Sequence, residues 1–256
     1  MRTAVALAVV LLGTLGVAGC SGDGPAGPAA AEAPTFPDCP SLIDGARPVY
    51  FTDPTGTRLA GAVRGTGRTG VVLSHMSDGD VCSWDPYARQ LAEAGYRVLV
   101  LQFQAYGESD GAAGDGELAD NVIGAANLLR REGVDGVALI GASMGGAASL
   151  AAATGLTPPA AAVISMSAPT VYPNADAMSA VPRLTVPVLY LVGETDGAFA
   201  ANARELHAAT PATTTRELVV VPSSAHGIFL LGQAGSTGER VRSAMDAFLA
   251  AHAPVR

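Results

Sequence analysis

Lysine is absent from this 256-residue chain, so its basic side chains are arginines and four histidines. The 15 arginines face 23 aspartates and glutamates, which gives a formal net charge of −8. Proteins that bind nucleic acid neutralise phosphates with clustered basic side chains, and the sequence contains no such cluster. The composition therefore argues against nucleic acid as a partner.

A long hydrophobic run is also missing. A transmembrane helix needs about 20 consecutive apolar residues, whereas the N-terminal apolar stretch from Ala4 to Val17 has roughly 14. Because Arg2 precedes this stretch and small residues follow it, the pattern is typical of a cleavable export signal and not of a permanent anchor. We therefore expect residues 1–19 to be a signal peptide.

The end of that stretch, Val17-Ala18-Gly19-Cys20, resembles a bacterial lipobox. The resemblance implies cleavage before Cys20 and acylation of its thiol and its new amino group. Several buried acyl chains together hold a protein on a membrane. This interpretation predicts an exported protein that is lipid-anchored to the outer face of a bacterial cell membrane. The alternative is an ordinary secretory signal with an incidental cysteine.

Cysteine is scarce as well. Three are present, and lipidation of Cys20 leaves Cys39 and Cys82. An exported protein permits a disulfide between these two. Two unpaired, buried thiols are the alternative.

The segment after Cys20 lacks hydrophobic periodicity. Residues 21–37 are rich in Gly, Pro and Ala, which is typical of a flexible linker. We assign residues 20–44 to the lipidated cysteine and its tether, residues 45–252 to one domain, and residues 253–256 to a tail. The domain, with its tail, holds about 215 residues, which is enough for a sizeable core.

Apolar, β-type runs alternate with helical stretches along this domain. Runs over 47–52 and 58–64 flank the turn Asp53-Pro54-Thr55-Gly56 and predict an antiparallel hairpin. Further predicted elements are strands over 70–74, 97–103, 136–142, 160–166, 186–192 and 216–221, and helices over 86–94, 117–131, 146–154, 200–209 and 237–251. Val/Leu/Ile-rich strands that alternate with helices predict an α/β fold, with a mostly parallel twisted sheet and helices on both faces. Active sites in such folds lie beyond the carboxyl ends of the strands.

A serine stands at one of these strand ends. Gly141-Ala142-Ser143-Met144-Gly145 closes the strand over 136–142 and leads into a helix of small residues. In a nucleophile elbow the serine takes a positive φ at a sharp strand-to-helix turn. The residues two places to either side lack a side chain because strand and helix crowd against them. Ser143 is therefore the candidate nucleophile.

Two more polar residues follow later strands. Asp196 comes after the strand over 186–192, and His226 comes after the strand over 216–221. This order of Ser, Asp and His, each on a loop after a strand, resembles that of the α/β-hydrolases over residues 45–252. The resemblance implies that Ser143 attacks a carbonyl, His226 takes its proton, and Asp196 fixes the imidazole tautomer. Glu194 is an alternative acid, placed nearer the strand.

The strand over 70–74 leads into His75-Met76-Ser77, where that family usually has His-Gly and then an oxyanion-hole donor. By position, the backbone N–H groups of Ser77 and Met144 would hold the oxyanion. Methionine in place of glycine leaves Met76 as an alternative donor. We expect His75 itself to bond loop backbone and to play a structural part.

Two other loops bear on function. The loop over 104–111 contains Tyr106-Gly107-Glu108-Ser109, which is similar to a family loop that shapes the region beneath the elbow, and we assign it no catalytic role. The interval from Met166 to Val186 is too short for the lid that members acting on long-chain lipids carry. We therefore expect a shallow, open pocket that prefers acyl groups of about two to six carbons.

The resemblance implies a serine hydrolase that cleaves carboxylic esters or related acyl compounds through an acyl-enzyme, without metal or cofactor. An acyltransferase or thioesterase with the same triad is one alternative. A lipid-anchored binding protein that kept the fold and lost turnover is the other. We expect a monomer whose partners are a small ester or acyl substrate and, through Cys20, the membrane.

Overall fold

Eight strands form one sheet in the computed structural model, which describes residues 32–256 of the chain. They are β1 (Arg47–Thr52), β2 (Arg58–Arg64), β3 (Thr69–Ser74), β4 (Arg97–Leu101), β5 (Gly136–Ala142), β6 (Ala162–Met166), β7 (Val188–Gly193) and β8 (Arg216–Val221). Their order across the sheet is β1-β2-β4-β3-β5-β6-β7-β8. The expected signal peptide, Cys20 and the first part of the expected tether lie outside the described residues.

The sheet is parallel except at one edge. β1 and β2 form the expected antiparallel hairpin, with Tyr50 opposite Ala60, and β2 pairs antiparallel with β4. The other five pairings are parallel, so the loops after β3, β4, β5, β6, β7 and β8 emerge at the same edge. The predicted α/β class and the largely parallel sheet are confirmed. This common edge is where the candidate site residues lie.

Helices cover both faces of the sheet. They are α1 (Asp85–Glu93), α2 (Leu118–Arg131), α3 (Met144–Ala153), α4 (Ala177–Ala180), α5 (Phe199–Ala209) and α6 (Gly235–His252). Apolar residues of α2, α3 and α4 pack with Val72 and Leu99 on one face, while those of α1 and α6 pack with Val71 and Val98 on the other. Successive strand residues therefore supply opposite halves of the core, as the pleat requires.

Every predicted strand and helix is present, with ends that differ by at most two residues. β7 begins at Val188 instead of residue 186, because Pro187 has no N–H to donate to a neighbouring strand. α3 begins at Met144 instead of residue 146, so two glycines of the small-residue stretch form its first turn. None of the six described helices, all within residues 32–256, is long and apolar enough to cross a membrane.

The N-terminal segment packs against the domain. The sequence assigns residues 33–44 to the tether, but the structure places them in the unit Ala33–Arg256. Phe36, Cys39 and Leu42 are almost fully buried, because these apolar side chains fill the surface beside β3 and α1. Cys39 and Cys82 form a disulfide with an S–S distance of 2.02 Å, which confirms the expected pairing.

A buried arginine also ties this segment to the sheet. The guanidinium of Arg64, in β2, donates to the carbonyl oxygens of Leu42 and Asp44 at 3.0 and 2.8 Å. It also pairs with the buried carboxylate of Asp85 at 3.1 Å. The charge of Arg64 is therefore compensated inside the protein, and two N-terminal carbonyls gain a charged donor.

Candidate active site

Ser143 is the single residue between β5 and α3. Its backbone has φ +50° and ψ −118°, a conformation that residues with a side chain rarely adopt. Its N–H donates to the carbonyl oxygen of Met166 at 2.8 Å, so the turn is anchored to the end of β6. The residue is 6% exposed. The chain thus holds a strained serine at the common edge of the sheet.

The two glycines around this serine are required by close contacts. A side chain at Gly141 would collide with the carbonyl group of Gly145. One at Gly145 would collide with the carbonyl oxygen of Ser74, at the end of β3. The crowding expected from the sequence is therefore present on both sides of Ser143.

His226 and Asp196 are bonded to each other. Nδ1 of His226 lies 3.1 Å from both carboxylate oxygens of Asp196, which is 5% exposed. Because a carboxylate only accepts hydrogen bonds, Nδ1 carries the proton and Nε2 is left as an acceptor. Glu194 is exposed and, within residues 32–256, makes no hydrogen bond to His226. The ring of Phe199 packs on the imidazole of His226, with the two ring centroids 4.1 Å apart.

The loops that carry Ser143 and His226 meet through the end of β6. The Ser143 N–H bonds Met166, and the hydroxyl of the next residue, Ser167, accepts the N–H of Gly227 at 2.9 Å. A Cβ at Gly227 would lie 3.3 Å from the side chain of Ala142. The neighbours of Ser143 and His226 are therefore in contact, and the loops of the three candidate catalytic residues lie together at one edge of the sheet.

The backbone after β3 faces the start of α3. The carbonyl oxygen of Met76 accepts from Nδ1 of His75 at 2.7 Å, and the N–H of Ser77, in the same trans peptide, points the opposite way. The carbonyl oxygen of His75 faces Gly145, so the N–H of Met76 points away from α3. Met144 begins α3, where N–H groups lack helical partners and carry positive partial charge. This geometry favours the N–H of Ser77 over that of Met76 as the group that lies beside the N–H of Met144.

Both ring nitrogens of His75 are occupied by backbone. Nδ1 donates to Met76, and Nε2 accepts the N–H of Phe103 at 3.2 Å. Burial lowers the pKa of His75 to about 4, so the ring is neutral near pH 7. The structural part expected for this histidine is confirmed.

Two clefts open beside the elbow and share Tyr106. One of about 450 Å³ reaches Met144, next to Ser143, and is also lined by Leu118, Tyr172 and Asn174. The other, of about 390 Å³, lies over His75 and is lined by Phe36, Asp80 and Glu108 among others. Between β6 and β7 the chain forms only α4 and a turn over Val181–Arg183, so the described residues there contain no cap domain.

In the part of the chain that the structure describes, no three His, Cys, Asp or Glu side chains lie close enough together to hold a metal ion.

Known proteins share this architecture. A family model described as alpha/beta hydrolase fold matches residues 70–182. An esterase from Pyrococcus furiosus superposes with a TM-score of 0.69 at 17% identity, over 83% of this chain and 95% of that one. This chain has the alpha/beta hydrolase fold. An enol-lactonase from Burkholderia xenovorans LB400, with the same fold, superposes with a TM-score of 0.64 at 18% identity, over 78% and 99% of the two chains.

One curated hydrolase is similar over a shorter region. The 2-hydroxy-6-oxononadienedioate/2-hydroxy-6-oxononatrienedioate hydrolase of Klebsiella pneumoniae is 35% identical over 91 residues. The match covers 34% of this chain and 32% of that protein. The chain therefore matches about a third of this curated relative's length.

Two residues that contact the site were assigned no individual role from the sequence. Ser167, with φ +49°, accepts the N–H that follows His226, and Tyr106 contacts both Ser77 and Met144. Each stands on a loop after a strand of the hydrolase fold, and this position is the feature of the sequence that could have indicated it. Neither belongs to a pattern that marks chemistry.

Proposed function

We propose that this protein is a serine hydrolase that cleaves small carboxylic esters or related acyl compounds through an acyl-enzyme at Ser143. The observation that carries the proposal is the hydrogen bond from His226 to the buried Asp196 beside a strained, glycine-flanked serine. The alpha/beta hydrolase fold, and the esterase and lactonase activities named for its structural relatives, support the same class of reaction.

The proposed reaction begins with attack of the Ser143 hydroxyl oxygen on the substrate carbonyl carbon. The serine proton passes to Nε2 of His226, and Asp196 stabilises the resulting imidazolium. The N–H groups of Ser77 and Met144 hold the negative oxygen of the tetrahedral intermediate. When the ester C–O bond breaks, His226 returns the proton to the leaving alcohol. Water then attacks the acyl-enzyme by the same steps.

The cleft beside Met144 supports a neutral, short acyl group. Its lining contains no charged side chain among the described residues, so a carboxylate bound there would find no cation. Because the described residues between β6 and β7 form no cap, the cleft offers few walls for a long alkyl chain. We therefore propose neutral acyl groups of about two to six carbons as substrates.

We also propose that the protein is exported and anchored through Cys20, which lies outside the described residues. The disulfide between Cys39 and Cys82 supports an oxidising compartment. Replacement Cys20→Ser would then move the protein out of the detergent phase in a phase-partition assay. Identical partitioning of wild type and variant would contradict the anchor without affecting the proposed reaction.

A fluorophosphonate probe tests the catalytic proposal. We expect the probe to label wild-type protein and Ser149→Ala, a matched control in the helix that follows Ser143, but not Ser143→Ala. The same Ser143→Ala change removes a factor on the order of 10⁶ in turnover of a p-nitrophenyl ester. A wild-type protein that resists the probe would support the binding-protein alternative. Ester formation with added alcohol in excess of hydrolysis would favour the acyltransferase.

A further inference from the structure

The hydroxyl of Tyr106 lies between the two residues proposed to stabilise the oxyanion. It donates to the carbonyl oxygen of Ser77 at 3.1 Å and lies 3.7 Å from Sδ of Met144. Tyr106 stands on the loop after β4, about 30 residues along the chain from Ser77 and about 40 from Met144. We propose that Tyr106 is a positioning residue, whose hydroxyl fixes the peptide that follows Ser77 and so restrains this residue in the oxyanion site. This inference rests on the proposed function.

Ser77 is held from both sides. The peptide that precedes it is fixed by the bond from Nδ1 of His75 to Met76, and the peptide that follows it is fixed by Tyr106. Peptide groups are planar, so a residue's φ and ψ are set once both flanking planes are set. Without the Tyr106 bond, the second plane can rotate about ψ of Ser77, and the residue that carries the oxyanion N–H keeps only one of its two restraints.

The two side chains that hold Ser77 also support each other. The rings of His75 and Tyr106 meet edge to face, with centroids 4.7 Å apart and an interplanar angle of 70°. Such contacts fix the relative orientation of two rings. A shift of Tyr106 is therefore resisted by a histidine whose two nitrogens are both bonded to backbone.

The loop holds Tyr106 in one direction. Ala105 before it has φ +63° and Gly107 after it has φ +47°. A side chain at Gly107 would collide with the amide of Gln102, so the loop is packed where it turns. The N–H of Tyr106 donates to the carbonyl oxygen of Phe103 at 3.1 Å. This backbone conformation therefore restricts the position of the Tyr106 ring.

The Tyr106 hydroxyl keeps its proton in the working pH range. Burial raises the pKa of Tyr106, and the neighbouring Tyr172 raises it further. The group is therefore a hydrogen-bond donor at neutral and mildly alkaline pH. Donors that are oriented before charge develops lower the barrier without tightening ground-state binding. Removal of this hydroxyl is therefore expected to lower kcat and to leave KM nearly unchanged.

Replacement Tyr106→Phe tests the inference, because it removes only the oxygen. We expect kcat on a short p-nitrophenyl ester to fall about tenfold, as for the loss of one hydrogen bond, with KM changed less than about twofold. A reversible boronic acid that forms a tetrahedral adduct with serine is expected to bind more weakly by the same factor as kcat/KM. The matched control Tyr96→Phe, in the segment before β4, leaves kcat unchanged.

Two unnatural side chains at position 106 separate positioning from packing and cover the case in which Tyr106→Phe does not fold. 4-Aminophenylalanine keeps a donor and is expected to restore kcat, whereas 4-fluorophenylalanine keeps the shape and is expected to reproduce the loss. Equal activity of these two forms, or a rise in KM at unchanged kcat, would overturn the inference. Ser143→Ala is assayed in parallel, because residual activity there would contradict the proposed function instead.

Discussion

Nδ1 of His226 lies at the same distance, 3.1 Å, from both carboxylate oxygens of Asp196. The acid therefore receives one N–H between its two oxygens and restricts rotation of the ring about its Cβ–Cγ bond. Asp196 is buried, and the neighbouring acid Glu194 points to solvent. Of these two carboxylates, only that of Asp196 is placed to orient the imidazole.

Replacement Asp196→Asn is expected to lower kcat by roughly 10⁴, because an amide can donate to Nδ1 and so stabilises the wrong imidazole tautomer. The matched change Glu194→Gln leaves kcat within about twofold. Both are measured as kcat on a short p-nitrophenyl ester. A nearly normal Asp196→Asn together with an inactive Glu194→Gln would show that the acid has been assigned to the wrong residue.

Stability is expected to fall as pH drops from about 6.5 to about 4. Burial lowers the folded-state pKa of His75 to about 4, so the unfolded chain binds this proton more readily than the folded one. The contribution of His75 to the free energy of unfolding is fully present above pH 6.5, near the unfolded-state pKa, and is lost as the pH falls to about 4. A difference of about 2.5 pKa units corresponds to roughly 3 kcal/mol.

Urea unfolding at several pH values measures this effect. The variant His75→Gln retains a donor and an acceptor but does not titrate, so its free energy of unfolding is expected to decline less between pH 6.5 and 4. An equal decline in both proteins would assign the acid sensitivity to other groups.

Substrate charge is expected to affect kcat/KM. The hydrolase of Klebsiella pneumoniae acts on a dicarboxylate, whereas the described lining of the cleft beside Met144 is uncharged. We expect kcat/KM for p-nitrophenyl butyrate to exceed that for the monoester of succinic acid at least tenfold, because burying an unpaired carboxylate is costly. Comparable values at low and high salt would contradict an uncharged acyl site.

Acyl length gives an independent check of the same cleft. In a series of neutral p-nitrophenyl esters, kcat/KM is expected to be highest at about two to six carbons, since longer chains extend beyond the cleft walls. A value that continues to rise through about twelve carbons would reveal an apolar groove that the described residues do not form.

Reduction of the Cys39–Cys82 disulfide is expected to destabilise the domain. The two cysteines are 43 residues apart in sequence. Closing a loop of this length contributes about 4 kcal/mol in the chain-entropy model. For a domain of this size that is a fall in Tm of roughly 8–16 °C. The double variant Cys39→Ser/Cys82→Ser is expected to have the Tm of the reduced wild type, with or without reductant. Two free thiols in denatured, unreduced wild type would rule the bond out.

The sheet and the placement of Ser143, Asp196 and His226 could be anticipated because each rests on local patterns. Apolar runs define the strands, and these residues stand on the loops after three of them, so parallel pairing places them at one edge. The glycines at 141 and 145 also follow from a local rule, since strand and helix must cross closely at an elbow.

Contacts between distant segments could not be anticipated in the same way. The bonds from Tyr106 to Ser77 and from Gly227 to Ser167 join loops 29 and 60 residues apart. They depend on which strands are neighbours and on how far a side chain reaches. The burial of Phe36 and Leu42 was missed because two apolar residues in a Gly/Pro-rich segment show no periodicity.

The Cys39–Cys82 bond turns the first part of the domain into a covalent ring that contains β1, β2 and β3. A protease that cuts the chain once inside this ring, for example in the exposed turn at Thr55, opens the ring but releases neither fragment. The segment before Cys39 stays joined to the loop after β3. A single cut in this turn therefore leaves the catalytic part of the chain covalently joined to its N-terminal segment until the disulfide is reduced.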